Sequence, residues 1–88
     1  MILKNKISLV TGGATGIGKA TVETFAQQGA TVIFCDINKK NGLSTQKKLK
    51  ESGLKTYFFQ ADVSKEKEVK LLYKYIIKNF KTIDTVFN

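Results

Sequence analysis

Two rhythms of apolar residues alternate along this chain. Short runs rich in β-branched and aromatic side chains occupy residues 7–11, 31–35, 56–59 and 85–87, and longer stretches with helical spacing separate them. Residues 7–11, Ile-Ser-Leu-Val-Thr, predict a first strand apolar enough to be covered on both faces. Over residues 17–28 the positions Ile17, Ala20, Thr21 and Phe25 follow helical spacing, and Gly29 suits the left-handed position just past a helix end. Residues 31–35 form a second, strongly β-prone run. Residues 39–52 predict a polar helix with only Leu43 and Leu49 to bury, closed by Gly53. Residues 56–59 predict a third strand.

The clearest helix follows. Ser64 offers an N-cap, and Glu66 and Glu68 fall in the first turn, where the helix dipole favours anions. Val69, Leu72, Tyr73, Ile76, Ile77 and Phe80 keep the i, i+3, i+4, i+7 pattern, and Lys78 and Lys81 stand at the end where the dipole favours cations. Residues 85–87 begin a fourth strand. Unbroken alternation of strand and helix implies a parallel sheet with right-handed crossovers. The expected fold is therefore an α/β, Rossmann-like, doubly wound parallel sheet, βαβαβαβ, with strand order 3-2-1-4. Its topological switch point falls between the first and fourth strands, where such sheets bind ligands.

The first strand runs into Thr11-Gly12-Gly13-Ala14-Thr15-Gly16-Ile17-Gly18. Glycines in a strand-to-helix turn let the backbone turn tightly and approach an anion, while the first N–H groups of the helix, lacking intrahelical partners, point at it. Gly12 permits the turn, Gly16 lets the backbone reach a pyrophosphate, and Gly18 lets the helix pack closely. The competing reading is that these glycines only punctuate a βα turn. A nucleotide P-loop is nearly matched, because Gly13 and Gly18 have its glycine spacing and Lys19 follows, but Ala20 stands where the magnesium-binding hydroxyl belongs.

Composition narrows the function classes. The 88 residues carry a formal charge of +8, but all fifteen basic residues are lysine, and Lys47, Lys48, Lys50, Lys67, Lys70, Lys74 and Lys78 spread over the presumed outer helix faces. Without arginine, specific nucleic-acid readout is not expected. The apolar run after the two N-terminal lysines is too short for an export signal or a membrane span, so a cytoplasmic chain without membrane contact is expected. With no histidine and one cysteine, Cys35, neither a disulfide framework nor a metal site is expected, and Cys35 reads as a small buried hydrophobe. One incomplete dinucleotide-binding domain is expected over residues 1–88.

In these residues the chain resembles the short-chain dehydrogenases/reductases. The segment from Thr11 to Gly18 looks like that family's T-G-x-x-x-G-I-G turn; Asp36 closes the second strand, Asp62-Val63 closes the third, and Asn88 matches the first Asn of the N-N-A-G motif. The resemblance implies that Gly12, Thr15, Gly16, Ile17, Gly18, Asp36, Asp62, Val63 and Asn88 bind a dinucleotide. Ile17 reads equally as the first core residue of its helix. A carboxylate at Asp36 would accept hydrogen bonds from ribose hydroxyls and repel a 2′-phosphate, so NAD(H) is expected over NADP(H), while Lys39 and Lys40 pull the other way. Asp36 also reads as a loop residue or a cap of the next helix, and Asp62 as a loop residue ahead of Ser64.

The family's proton donor is a Tyr in a Y-x-x-x-K motif. No such motif exists here, because Ala61, Ile77 and Asn79 stand four residues after Tyr57, Tyr73 and Tyr75. No catalytic residue is therefore assigned. The resemblance implies hydride transfer with an alcohol or carbonyl substrate in a complete, homo-oligomeric enzyme of which this is the N-terminal part, with no catalysis by the 88-mer alone. The alternative is a stand-alone truncated protein that binds a nucleotide, or nothing.

Overall fold

The computed structural model describes residues 2–88, and Met1 lies outside them. Seven elements follow one another: β1 (Ile7–Thr11), α1 (Gly16–Gln27), β2 (Thr31–Asp36), α2 (Lys39–Glu51), β3 (Thr56–Gln60), α3 (Glu66–Phe80) and β4 (Thr85–Phe87). The four strands form one parallel sheet in the order β3-β2-β1-β4, as the alternating pattern predicts.

Side chains alternate across the sheet and split the core into two layers. Val10, Val32 and Phe34 pack with Val22 and Ala26 of α1 and Leu49 of α2. Leu9, Ile33 and Cys35 pack with Leu72 and Ile76 of α3 on the other face. Helices on both faces leave the carboxyl ends of the strands as the open rim, which is where sheets of this type carry sites.

Helix ends explain why the connections are short. Gly29, at φ +97°, closes α1: its N–H donates to the Ala26 carbonyl at 3.0 Å and that of Ala30 to the Phe25 carbonyl at 3.1 Å. Gly53, at φ +81°, repeats the arrangement after α2, with the Leu54 N–H on the Leu49 carbonyl at 3.0 Å. Both are Schellman ends, and each returns an apolar residue to the core. At the same amino-end rim, Asp84 secures β4 beside β1: its N–H donates to the Ile7 carbonyl at 2.7 Å, and its carboxylate accepts the Ile7 N–H at 2.8 Å.

Four sequence readings are corrected. Ser64 does not cap α3: its N–H and hydroxyl both donate to Asp62, and Lys65 takes the N-cap position without a side-chain bond. Leu43 is exposed, and α2 buries Gly42 and Thr45 beside Leu49. The buried residues of α1 are Val22 and Ala26, so Ile17, 79% exposed, is not a core residue. On α3 only Leu72 and Ile76 are fully covered, while Tyr73 and Ile77 are exposed. In the three helices the apolar stripe has the expected period but is displaced in angle, because the sheet covers a narrower arc of a helix than its apolar residues span.

Candidate nucleotide site

The glycine-rich turn sits at the end of β1, and its four glycines meet three different needs. Gly12 and Gly16 adopt φ of +68° and +59°, the left-handed region open to glycine at little cost, with empty space where a side chain would stand. A Cβ at Gly18 would land on the Gly12 carbonyl oxygen, so α1 starts hard against its own loop. Contact with the sheet falls to Gly13, where a Cβ would come within 2.6 Å of the Phe34 Cβ and 3.0 Å of a Val22 methyl. Sequence reasoning gave the close approach to Gly18 alone.

Thr15 is the extended N-cap residue of α1, and its hydroxyl makes no capping bond. The first turn carries no acidic residue, so the positive end of the helix dipole faces the loop uncompensated. Ile17 projects from the same turn into solvent. This arrangement suits an anion, since the orphan N–H groups of a first helical turn are the natural donors to one.

Ala14, at the centre of the turn, is buried and held from two sides. Its N–H donates to Asp36 Oδ2 at 3.2 Å, and its carbonyl accepts the Thr45 hydroxyl at 3.0 Å. Asp36 Oδ1 also accepts the Asn38 N–H at 3.0 Å. Asn38, not Asp36, caps α2 by accepting the Asn41 N–H at 2.9 Å. Each carboxylate oxygen of Asp36 keeps a lone pair free for a further donor such as a ribose hydroxyl.

Beside Asp36 lies a crevice of about 230 Å³ lined by Gly12, Cys35, Asp36, Ile37, Ala61, Asp62 and Val63. Its volume falls below the roughly 300–1,000 Å³ of sites that enclose a whole drug-sized ligand, which fits one ring system with the remainder running over the loop. Ile37 and Val63 present exposed apolar side chains at its mouth. Ile37 was missed from sequence, although an apolar residue directly after Asp36 in an exposed turn was the available signal. The Asp62–Val63 corner is held by two carboxylates. Asp62 Oδ1 accepts the Ser64 hydroxyl at 2.6 Å and its N–H at 2.9 Å, which holds the Asp62 carboxyl below the usual carboxylate range. Glu68 Oε1, in the first turn of α3, accepts the Asp62 N–H at 2.9 Å. Cys35 lies fully buried beneath the crevice, and burial pushes its thiol pKa up.

Asn88 stands across from the loop, where its Oδ1 accepts the Thr11 hydroxyl at 3.1 Å. That pair marks the switch point between β1 and β4, while the crevice lies over the ends of β1, β2 and β3. The structure thus gathers Gly12, Thr15, Gly16, Ile17, Gly18, Asp36, Asp62, Val63 and Asn88 along one rim of the sheet. Tyr57 and Tyr75 serve packing, Tyr57 against Phe80 at 5.1 Å between ring centroids and Tyr75 against Phe59 at 5.0 Å and edge-on to Phe80 at 6.1 Å, while Tyr73 is exposed. Among the described residues no cluster of three or more potential metal ligands occurs, and no helix is long and apolar enough to cross a membrane.

Comparison with known proteins agrees with this geometry. A family model described as short chain dehydrogenase matches residues 6–88. An uncharacterized oxidoreductase of Bacillus subtilis, YxbG, is 44% identical over 86 residues, covering 98% of this chain and 32% of the relative. A 3-hydroxyacyl-CoA dehydrogenase type-2 of Drosophila melanogaster is 40% identical over 87 residues, covering 99% of this chain and 33% of the relative. Among solved structures, a citronellol catabolism dehydrogenase of Pseudomonas aeruginosa superposes with a TM-score of 0.93 at 27% identity, covering 97% of this chain and 36% of that one. The chain spans about a third of the length of the curated relatives it matches.

Proposed function

The chain belongs to the short-chain dehydrogenase family, whose members bind nicotinamide dinucleotides, and from that premise we propose that it is the NAD(H)-binding N-terminal part of an oxidoreductase. In the complete enzyme a hydride would pass between the nicotinamide and an alcohol or carbonyl substrate. The residues fit such a cofactor. Gly12, Gly16 and Gly18 keep the loop free of side chains, and the N-terminus of α1 with the Thr15 hydroxyl offers donors to a pyrophosphate. Ile17 would lie against the bound ligand, Asp36 at the crevice would accept the adenosine ribose hydroxyls, and Ile37, Asp62 and Val63, which line the same crevice, would flank the adenine. Asn88 stands on the nicotinamide side of the switch point, fixed by Thr11. When bound, the dinucleotide supplies the hydride chemistry; this chain binds it, orients it and selects its ribose.

The observation that carries the reading is the carboxylate of Asp36 at the lip of the crevice, tied by Ala14 to the glycine loop. A 2′-phosphate placed there would face that negative charge, which favours NAD(H) over NADP(H). Titration of the purified protein, as its cell makes it, with NADH and NADPH followed by nucleotide fluorescence tests this. Saturable binding with NADH at least tenfold tighter is expected, a gap of about 1.4 kcal/mol. Tighter NADPH binding would overturn the specificity, and binding of neither nucleotide would overturn the function.

A further inference from the structure

Helix α2 is strongly polar, yet it packs beside the glycine loop. It does so through Gly42, Thr45 and Leu49, which share one helical face and are all buried. Gly42 brings the helix close: a Cβ there would collide with the Phe58 ring, so no other residue allows this approach without moving the ring. Leu49 anchors the far end in the core. Between them the Thr45 hydroxyl reaches across 31 residues of sequence to the Ala14 carbonyl at 3.0 Å. Both residues are only 3% exposed, so water does not substitute for this donor.

We propose that Thr45 is a positioning residue for nucleotide binding, which fixes the Gly12–Gly18 loop in its receptive shape by holding the Ala14 carbonyl opposite the Asp36 grip on the Ala14 N–H. This rests on the nucleotide reading of the loop given above. Ala14 directly precedes the Thr15 N-cap, so the orientation of its two flanking peptides sets where the first-turn N–H groups of α1 aim. With one peptide tied to β2 through Asp36 and the other to α2 through Thr45, the loop is fixed to two elements besides those it joins. Loss of the hydroxyl lets the loop sample other shapes, and apparent affinity falls with the receptive fraction. Asp36 touches the ligand in this scheme, whereas Thr45 acts only through Ala14.

The test compares Thr45→Val, which keeps the shape and removes the donor, with Thr45→Ser, which keeps the donor. NADH affinity is measured by fluorescence titration of the protein as its cell makes it, and amide hydrogen exchange across residues 12–18 is measured without nucleotide. Thr45→Val should weaken NADH about tenfold and speed loop exchange by a similar factor, while Thr45→Ser stays within about twofold of the parent in both. Equal NADH affinity and equal loop exchange in Thr45→Val, with only a lowered Tm, would reduce Thr45 to a packing residue and overturn the proposal. The exchange measurement stands without any nucleotide. If the parent binds no NADH, the functional reading fails, while the exchange result still decides whether Thr45 holds the loop.

Discussion

Asp36 and Ala14 are joined by a hydrogen bond of 3.2 Å from the Ala14 N–H to the carboxylate, across 22 residues of sequence. The residue best suited to choose the ribose is therefore also a strut of the loop suited to the phosphates. On the NAD(H) reading proposed above, specificity and loop geometry would share one side chain, so a change of cofactor preference would not leave the loop untouched.

From that coupling, Asp36→Ala should act on two quantities. NADH affinity should drop by about 1–3 kcal/mol, since a ribose acceptor and the Ala14 anchor are lost together. NADPH should gain from relief of charge repulsion and lose from the looser loop, so its affinity changes little. Titration with both nucleotides should show the preference narrowing mainly through weaker NADH. An unchanged ratio would mean that Asp36 does not face the ribose.

Gly18 and Gly16 should respond differently to alanine. Gly16→Ala enters open space but must hold a left-handed φ of +59°, a cost of about 1–2 kcal/mol. In Gly18→Ala the new methyl collides with the Gly12 carbonyl, which forces the start of α1 off its loop. Thermal denaturation should rank Gly18→Ala as the more damaging, and NADH titration should show no measurable binding by it. The reverse order would contradict the close seating of α1.

Helix α2 offers a direct contrast between its two leucines. Leu43→Ser should change stability by less than about 0.5 kcal/mol because the side chain is 46% exposed. Leu49→Ala, at a buried position in the core layer with Val32 and Phe34, should cost about 2–5 kcal/mol. Urea unfolding of both variants checks the face that α2 turns to the sheet.

The Asp62 turn carries a pH signature. Hydrogen bonds from Ser64 lower the carboxyl pKa in the fold, so its stabilising contribution is fully present above the ordinary value of about 3.9 and is lost as pH falls through the lower folded value. Asp62→Ala should be less stable than the parent by a constant margin from about pH 5 to 8. That margin should close in more acidic solution. A margin that grew on acidification would contradict the Ser64 contacts.

Much of the fold was legible from residue order alone. Four β-prone runs alternating with helical spacing require a parallel sheet, and the handedness of crossovers leaves few arrangements, of which β3-β2-β1-β4 is the one found. The placement of the glycine turn, Asp36 and Asp62-Val63 at strand ends was legible because strand ends show in sequence. Ser64 misled because its hydroxyl and N–H had a better acceptor two residues back in Asp62. Ile37 was passed over because an exposed isoleucine in a turn has no periodic signal.

The sequence by itself determined the element order, the sheet topology and the loop whose glycines must stay bare, since all of these follow from local conformational preference and spacing. Only the tertiary structure decided which face of each helix meets the sheet, because an apolar stripe is wider than the arc that a sheet covers. Likewise, only folding could bring Thr45 and Asp36 to opposite sides of Ala14. No local preference specifies a hydrogen bond between residues 31 positions apart; it exists because Gly42 lets α2 come close enough to make it.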